Sequence, residues 1–311
     1  MSAANRSAAA PLDRDALAEI RRIQVRTDRM VTDVLAGGYS SVFRGSGIEF
    51  EEVREFMEGD DPRSIDWNVT ARTGKPHIKK FVEERELTVL LLLDLSASTR
   101  FGTREPSATG RLRTVRETAA IFCGCVAFAA ARNNDKAGLI SFTDRIERHL
   151  PAKKGRGHVL RLIRDACAQV PEGSGTDLGA ALEFAGRVQR RRAVVFLVTD
   201  AFAVLPEHEM RVLSGRHDLV LVRVRDPRSE QLPAAGLLRL RDHETGAERW
   251  VDTSSRRVRI AFEQSVARSR AVADEACRRA GVDVLDVSTH GSVADPIVRF
   301  FRMRERRGAR R

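Results

Sequence analysis

No stretch of this chain approaches the roughly 20 consecutive apolar residues that a membrane-spanning helix needs. The longest apolar run, Val89 to Leu93 with its flanks, has the length of a strand. The N-terminus, MSAANRSAAAPLDRD, holds no apolar core of the secretory-signal type, so a cytoplasmic location is expected. Aromatic residues make up only 5% of the chain, with one tyrosine, and do not interleave with basic residues as a base-stacking surface would require. Cysteine is also scarce, at four residues. Cys123 and Cys125 fall on one predicted helix but on different faces, which makes them poor co-ligands. Together with Cys167 and Cys277 they read as buried free thiols. No G-x-x-x-x-G-K-[ST] loop and no G-x-G-x-x-G after a strand occurs, so the nucleotide-binding fingerprints are absent. There is no internal repeat.

The chain does have size, charge and pattern. Its 311 residues suffice for one large domain with a smaller appendage. Apolar residues reach 42%, enough for a sizeable core, against 31% charged. The net charge of +11 comes mostly from arginine and gathers at Arg187–Arg192 (RVQRRR) and in the tail Arg299–Arg311. Such clusters fit nucleic acid, an anionic surface or an acidic protein partner. They equally fit cations at a helix C-terminus and a solvated chain end.

Residues 1–10 read as a disordered N-terminus. Helical spacing of Leu17, Ile20, Ile23, Met30, Val34 and Leu35 predicts a helix that Gly37-Gly38 stops. It belongs with a polar segment of short strands and turns, so that 11–87 forms one family-specific β/loop region. From Thr88 strands and helices alternate. The predicted strands are Thr88–Asp94, Lys136–Phe142, Arg145–Leu150 at an edge, Ala193–Thr199, Asp218–Val224 and Val282–Val287. The predicted helices are Leu112–Asn133, Gly157–Val170, Asp177–Gln189, Glu207–Ser214, Arg257–Gly281 and Ala294–Arg306. A hairpin insertion is expected near 237–252, with Thr245-Gly246 by its turn. The fold class is therefore α/β, a doubly wound and mostly parallel sheet over 88–290, followed by a C-terminal helix and basic tail over 291–311.

Residues Leu90–Ser98 read LLLLDLSAS. The apolar run suits a strand buried on both faces. At its C-terminal end, where open α/β sheets bind ligands, Asp94, Ser96 and Ser98 follow at alternate positions. One carboxylate with two hydroxyls is oxygen-only chemistry suited to a hard divalent cation; a strand ending in an Asx or Ser turn gives the same letters. Two more positions bear on the choice. Gly173-Ser174-Gly175-Thr176-Asp177 is a glycine-rich loop presenting a hydroxyl, or simply a helix start with Thr176 as its cap. Thr199-Asp200 ends a second buried strand in a carboxylate. In a doubly wound sheet the strands carrying Asp94 and Asp200 lie side by side, and the loop of Thr176 precedes the helix leading into the second. The seven histidines are scattered and read as surface or turn residues.

In order and strand context, Asp94-x-Ser96-x-Ser98, Thr176 and Asp200 resemble the metal-ion-dependent adhesion site of von Willebrand factor A domains. The resemblance implies that these five residues bind Mg2+, with Mn2+ or Ca2+ as alternatives, and that an Asp or Glu from a partner completes its coordination. Gly45-Ser46-Gly47-Ile48-Glu49-Phe50, Arg54-Glu55-Phe56, Gly59 to Trp67 and Ala71-Arg72 closely resemble the signature block of the bacterial domain of unknown function 58 family. Many members of that family begin with transmembrane helices; this chain resembles the short type without them. Thr99 stands where the family usually has Met, a departure read as touching no ligand. Within the block, Asp60, Asp61, Arg63 and Asp66 read as an ion-pair and turn network, with Trp67 a buried anchor. Arg54, Arg63 and Arg72 are the candidate partner-binding residues.

The family resemblance implies a non-enzymatic adaptor working with a MoxR-type AAA+ ATPase on a client protein, in complex assembly or maturation. One alternative is nucleic-acid binding through the arginine clusters. Another is a metal-dependent phosphoesterase, which would require a second metal or a general base that the sequence does not display.

Overall fold

The computed structural model describes residues 49–57, 60–61, 64–82, 86–104 and 112–308. The expected helix before Gly37, the block residues Gly45–Ile48, Gly59 and Arg63, and the last three tail residues lie outside these. The chain divides into two compact units, one within Phe43–Leu87 and one containing Thr88–Arg311.

In the smaller unit β1 (Glu49–Glu55) precedes α1 (Trp67–Thr73) and β2 (His77–Val82). The two strands pair antiparallel, with a bulge between Phe50 and Glu52. Asp66 caps α1 by accepting from the amides of Asn68 and Val69. The helix ends at Gly74, whose φ of +73° is the left-handed conformation that glycine adopts without strain. Arg54 holds Asp60 through two hydrogen bonds of 2.9 and 2.7 Å, and Asp60 also accepts from the Met57 amide. Trp67 is not the anchor expected of it. It opens a short helix that buries none of its residues, and 71% of its surface is exposed.

In the larger unit the elements follow as β3 (Thr88–Asp94), a 3-10 turn (Ala97–Arg100), β4 (Gly102–Arg104), β5 (Leu112–Thr114), α2 (Val115–Arg132), β6 (Lys136–Phe142), β7 (Ile146–Lys153) and α3 (Arg156–Ala168). Next come α4 (Leu178–Val188), β8 (Val194–Thr199), α5 (Glu207–Ser214), β9 (Asp218–Arg225) and a single turn α6 (Pro227–Glu230). The chain ends through β10 (Leu237–Arg241), β11 (Glu248–Asp252), α7 (Arg256–Ala280), β12 (Asp283–Ser288) and α8 (Ala294–Gly308). Six strands form one sheet in the order β12-β9-β8-β3-β6-β7. All neighbours are parallel except β7, which pairs antiparallel with β6 at the edge. This is the doubly wound, mostly parallel α/β sheet that the strand and helix pattern implies.

The leucine run of β3 lies at the centre because both sheet faces are covered. Leu90 and Leu92 pack with Leu182 of α4, Met210 of α5 and Cys277 of α7. On the facing side Phe196 of β8 meets Phe122 of α2 edge to face, with ring centroids 5.6 Å apart. A strand alternating between two apolar layers can carry no polar side chain until it leaves the sheet, which is why the first carboxylate of β3 is its last residue.

Three local readings are corrected. The helix expected from Leu112 begins at Val115, since Leu112–Thr114 pairs with β4 and Thr114 forms a capping box with Glu117. His217, read as a surface or turn residue, is 3% exposed at the start of β9. All four cysteines are free, but Cys167 is only half-buried.

Candidate metal and ligand site

Strands β3 and β8 are adjacent and parallel, with Leu93 opposite Val198. Asp94, the last residue of β3, and Asp200, the first after β8, therefore emerge at the same carboxyl-end edge. They are 0% and 6% exposed. Asp94 Oδ1 accepts from the Ser96 amide at 2.8 Å and Oδ2 from the Thr199 hydroxyl at 2.7 Å. Burial first, and the charge of Asp200 second, push the Asp94 carboxyl up to about 6, against hydrogen bonds from Ser96 and Thr199. Asp200 is raised too, chiefly by burial, and the charge of Glu244 adds to the rise. Hydrogen bonds from the Ser98 hydroxyl and the Phe202 amide oppose it. Two buried carboxylates thus face each other with neutral hydrogen-bond donors around them. Arg116 stands nearby, but its guanidinium donates to the Leu95 carbonyl, and Asp94 acts on it less than burial and Arg100 do.

The hydroxyls come from two tied loops. Ser96 Oγ and Ser98 Oγ are 3.1 Å apart. The Thr99 hydroxyl donates to the Ser96 carbonyl at 2.7 Å, so this residue, read as touching no ligand, bonds the main chain of Ser96 and holds the turn that carries Ser96 and Ser98. The Ala97 amide donates to the Ser174 carbonyl at 2.8 Å, joining this turn to the glycine-rich loop. That loop is pinned by Glu147, which accepts from the Thr143 hydroxyl and from the amides of Glu172 and Gly173. A Cβ on Gly173 would fall 2.2 Å from both Thr143 Oγ1 and Asp144 Oδ1, so any other residue here would force those side chains to move. Asp177, not Thr176, caps α4 by accepting from the Ala180 amide. The Thr176 hydroxyl is thereby released from helix capping. It donates instead to Glu244 Oε1 at 2.6 Å.

The structure brings Asp94, Ser96, Ser98 and Asp200 into one hydrogen-bonded and electrostatically linked set. Thr176 joins it through the Ala97–Ser174 bond and through Glu244. The donors are all oxygen, two carboxylates and three hydroxyls, which suits a hard divalent cation such as Mg2+. Among the described residues, no three His, Cys, Asp or Glu side chains converge to hold a metal without the hydroxyls. Sequence reasoning missed Thr199 and Glu244. Thr199 acts on Asp94 only through the register of β8 on β3, and Glu244 only through the placement of a distant hairpin. Of the candidate partner-binding arginines, Arg54 belongs to the smaller unit and is held by Asp60, Arg72 is exposed in the last turn of α1, and Arg63 lies outside the described residues.

The basic clusters sit away from this edge. Arg187–Arg192 lead into the start of β8 and are largely exposed. In the tail, Arg304 pairs with Asp218 and Asp283, at the starts of β9 and β12, and Arg307 also reaches Asp283. Among the described residues, no helix is long and apolar enough to cross a membrane.

Residues 52–272 match the family model described as protein of unknown function DUF58. The chain belongs to the DUF58 family. An uncharacterized protein of Mycobacterium tuberculosis is 30% identical over 295 residues, covering 94% of this DUF58 chain and 90% of its own length. Among solved structures, an aerotolerance-related membrane protein from Bacteroides fragilis is 16% identical, with 71% of this chain and 99% of that one covered at a TM-score of 0.46. The VWA domain of SpRpn10 is 11% identical, with coverage of 68% and 94% at a TM-score of 0.36. Strand order and strand direction carry the fold assignment of this DUF58 member.

Proposed function

We propose that this DUF58 protein is a non-enzymatic adaptor that captures an acidic side chain of a partner protein at a divalent cation held by Asp94, Ser96, Ser98, Thr176 and Asp200. The observation that carries the reading is the Asp94–Asp200 pair, both buried at one sheet edge and both pushed up in pKa chiefly by burial, with the charge of Asp200 adding to the rise of Asp94. A cation relieves that repulsion. Bound there, Mg2+ supplies an electrophilic centre able to accept a further carboxylate. The neutral hydroxyls of Ser96, Ser98 and Thr176 leave the ion's charge undiminished while orienting it. The partners of Asp94 and Asp200 are seryl, threonyl and main-chain groups. With no histidine or cysteine among them, the arrangement supports a clamp rather than a hydrolase, which needs a base or a second metal. Phe202 and Val204, exposed just after Asp200, offer an apolar rim for a protein surface. The family resemblance supports a MoxR-type AAA+ ATPase and its client as the partners.

Calorimetric titration with Mg2+ and Mn2+ tests the site. The wild-type chain is expected to bind, and Ser96→Ala to lose most of that affinity while its sheet stays folded by circular dichroism. Full affinity in Ser96→Ala overturns the site. A pull-down from the native host with Mg2+ and with chelator tests the partners; recovery of no ATPase in either condition overturns that part.

A further inference from the structure

The sequence places Glu244 in a turn of an inserted hairpin, 68 residues from Thr176. In the folded chain its carboxylate accepts a hydrogen bond from the Thr176 hydroxyl, and its charge reaches Asp200. A third negative charge is thus brought toward a pair that already repel each other, although the three carboxylates alone do not converge as a metal-holding cluster. This approach is unfavourable unless positive charge lies among them.

The hairpin is built to deliver this side chain. Strands β10 and β11 pair in register from Leu237 opposite Asp252 to Arg241 opposite Glu248. At the tip Asp242 Oδ1 accepts from the amides of Glu244 and Thr245, at 2.8 and 2.9 Å, and Gly246 takes a φ of +71° to close the turn. The neighbouring His243 ring stands edge-on to Phe101, with centroids 6.4 Å apart, and Phe101 directly follows the turn that carries Ser98. The tip thus touches both ligand-bearing loops, one through Glu244 and one through His243. The hairpin's body, in contrast, lies largely outside the core: β10 and β11 hold no buried residue, and Leu237 and Trp250 are exposed. At its base the Thr253 amide and hydroxyl both donate to the Gly236 carbonyl, and Gly236 has a φ of +76°. An arm fixed at its base and tip, with little apolar surface buried between, can lift from the site at small cost.

We propose that Glu244 is the site's internal carboxylate. It takes, from within the chain, the position toward the cation that an acidic partner would take, and partner binding lifts the β10–β11 hairpin. This inference rests on the cation-site reading above and adds a competitor to it.

Hydrogen–deuterium exchange of the full chain, with Mg2+ and with chelator, reads the hairpin directly. In the wild type, Mg2+ is expected to slow exchange across residues 237–252. Glu244→Gln, an exposed and near-isosteric change, is expected to abolish that slowing and to weaken Mn2+ binding about 10-fold. A hexaglutamate peptide serves as the probe for the vacated position. It is expected to bind Mg2+-loaded Glu244→Gln about 10-fold more tightly than the loaded wild type, as removal of an internal competitor requires. Mg2+ binding to the wild type with no change in hairpin exchange overturns the Glu244 proposal and leaves the site reading intact. Equal peptide affinity in the two proteins overturns the competition. Absence of any Mg2+ or Mn2+ binding to the wild type overturns the site reading itself, and this inference with it.

Discussion

Asp94, Asp200 and Asp226 stand at the ends of three neighbouring parallel strands, all at the same edge of the sheet, and all are buried. Asp226 is saturated. It accepts from the Thr103 amide and hydroxyl, from the Thr289 hydroxyl and from the Arg228 amide, all within 3.0 Å. Its carboxyl is held below the ordinary range, because those bonds together outweigh the burial that would raise it. Asp94 is buried too but accepts only two bonds, and burial first, with the charge of Asp200 second, pushes its carboxyl up to about 6. Burial alone therefore does not mark a functional carboxylate in this fold. A carboxylate left electrostatically incomplete by its surroundings is the better candidate for one. Asp226 is a strut tying β9 to the β4–β5 pair and to the end of β12; Asp94 and Asp200 are the pair proposed above to receive a cation.

Removing each carboxylate breaks the comparison most directly. Asp226→Ala leaves the buried Thr289 hydroxyl, the half-buried Thr103 hydroxyl and two amides without their acceptor, and is expected to destabilise the chain by about 3–5 kcal/mol. Asp94→Asn acts in the opposite direction. It removes a buried charge that repels Asp200, and an amide oxygen can still accept from Ser96. In chelator it is expected to stabilise the chain by about 1–3 kcal/mol, while abolishing any stabilisation by Mg2+. Urea unfolding of both variants with and without Mg2+ checks this. A destabilised Asp94→Asn in chelator would show that Asp94, like Asp226, is chiefly a strut.

The pH dependence separates the same groups. The folded-state pKa of Asp94 lies above its unfolded value, so between about pH 4 and 6 the folded state binds more protons. The contribution of Asp94 to stability therefore falls as pH rises through that window and is level above it. Asp226 has the opposite sign: its contribution is present above the unfolded carboxylate pKa and is lost as pH falls through its lowered folded value. Stability measured in chelator from about pH 3 to 7 should lose its falling limb in Asp94→Asn and its acid-side loss in Asp226→Ala. An unchanged profile in either variant refutes the corresponding sign.

Much of this edge was legible in the sequence. An unbroken leucine run of this length suits a strand covered on both faces, and its first polar residue then lies where the strand leaves the sheet. That fixes Asp94, Ser96 and Ser98, and the parallel logic of β8 fixes Asp200. The residues that escaped act through register or tertiary placement. Thr199 looks like the last apolar-strand residue until its position opposite Asp94 is known. Glu244 is one acidic residue in a polar hairpin tip, and nothing local distinguishes it. The β4–β5 pair was hidden because Leu112–Thr114 continues the pattern of α2. Trp67 misled because an indole reads as core, whereas the helix it opens buries nothing.

A finer comparison uses two threonines that do the same thing. Thr199 donates to Asp94 and Thr289 to Asp226, each at 2.7 Å and each nearly or fully buried. At neutral pH both carboxylates are largely ionised, so Thr199→Val and Thr289→Val should each cost about 1.5–3 kcal/mol, the range for a hydrogen bond to a charged group. Near pH 5 the two should diverge. Asp94 is then mostly protonated and no longer needs an external donor, so the cost of Thr199→Val shrinks to about 1 kcal/mol or less. Asp226 remains ionised, and the cost of Thr289→Val should not move. Urea unfolding of the two variants at the two pH values, in chelator, gives the comparison. Penalties that shrink in parallel would mean that Asp94 and Asp226 titrate alike, and the distinction between receptor and strut would fail.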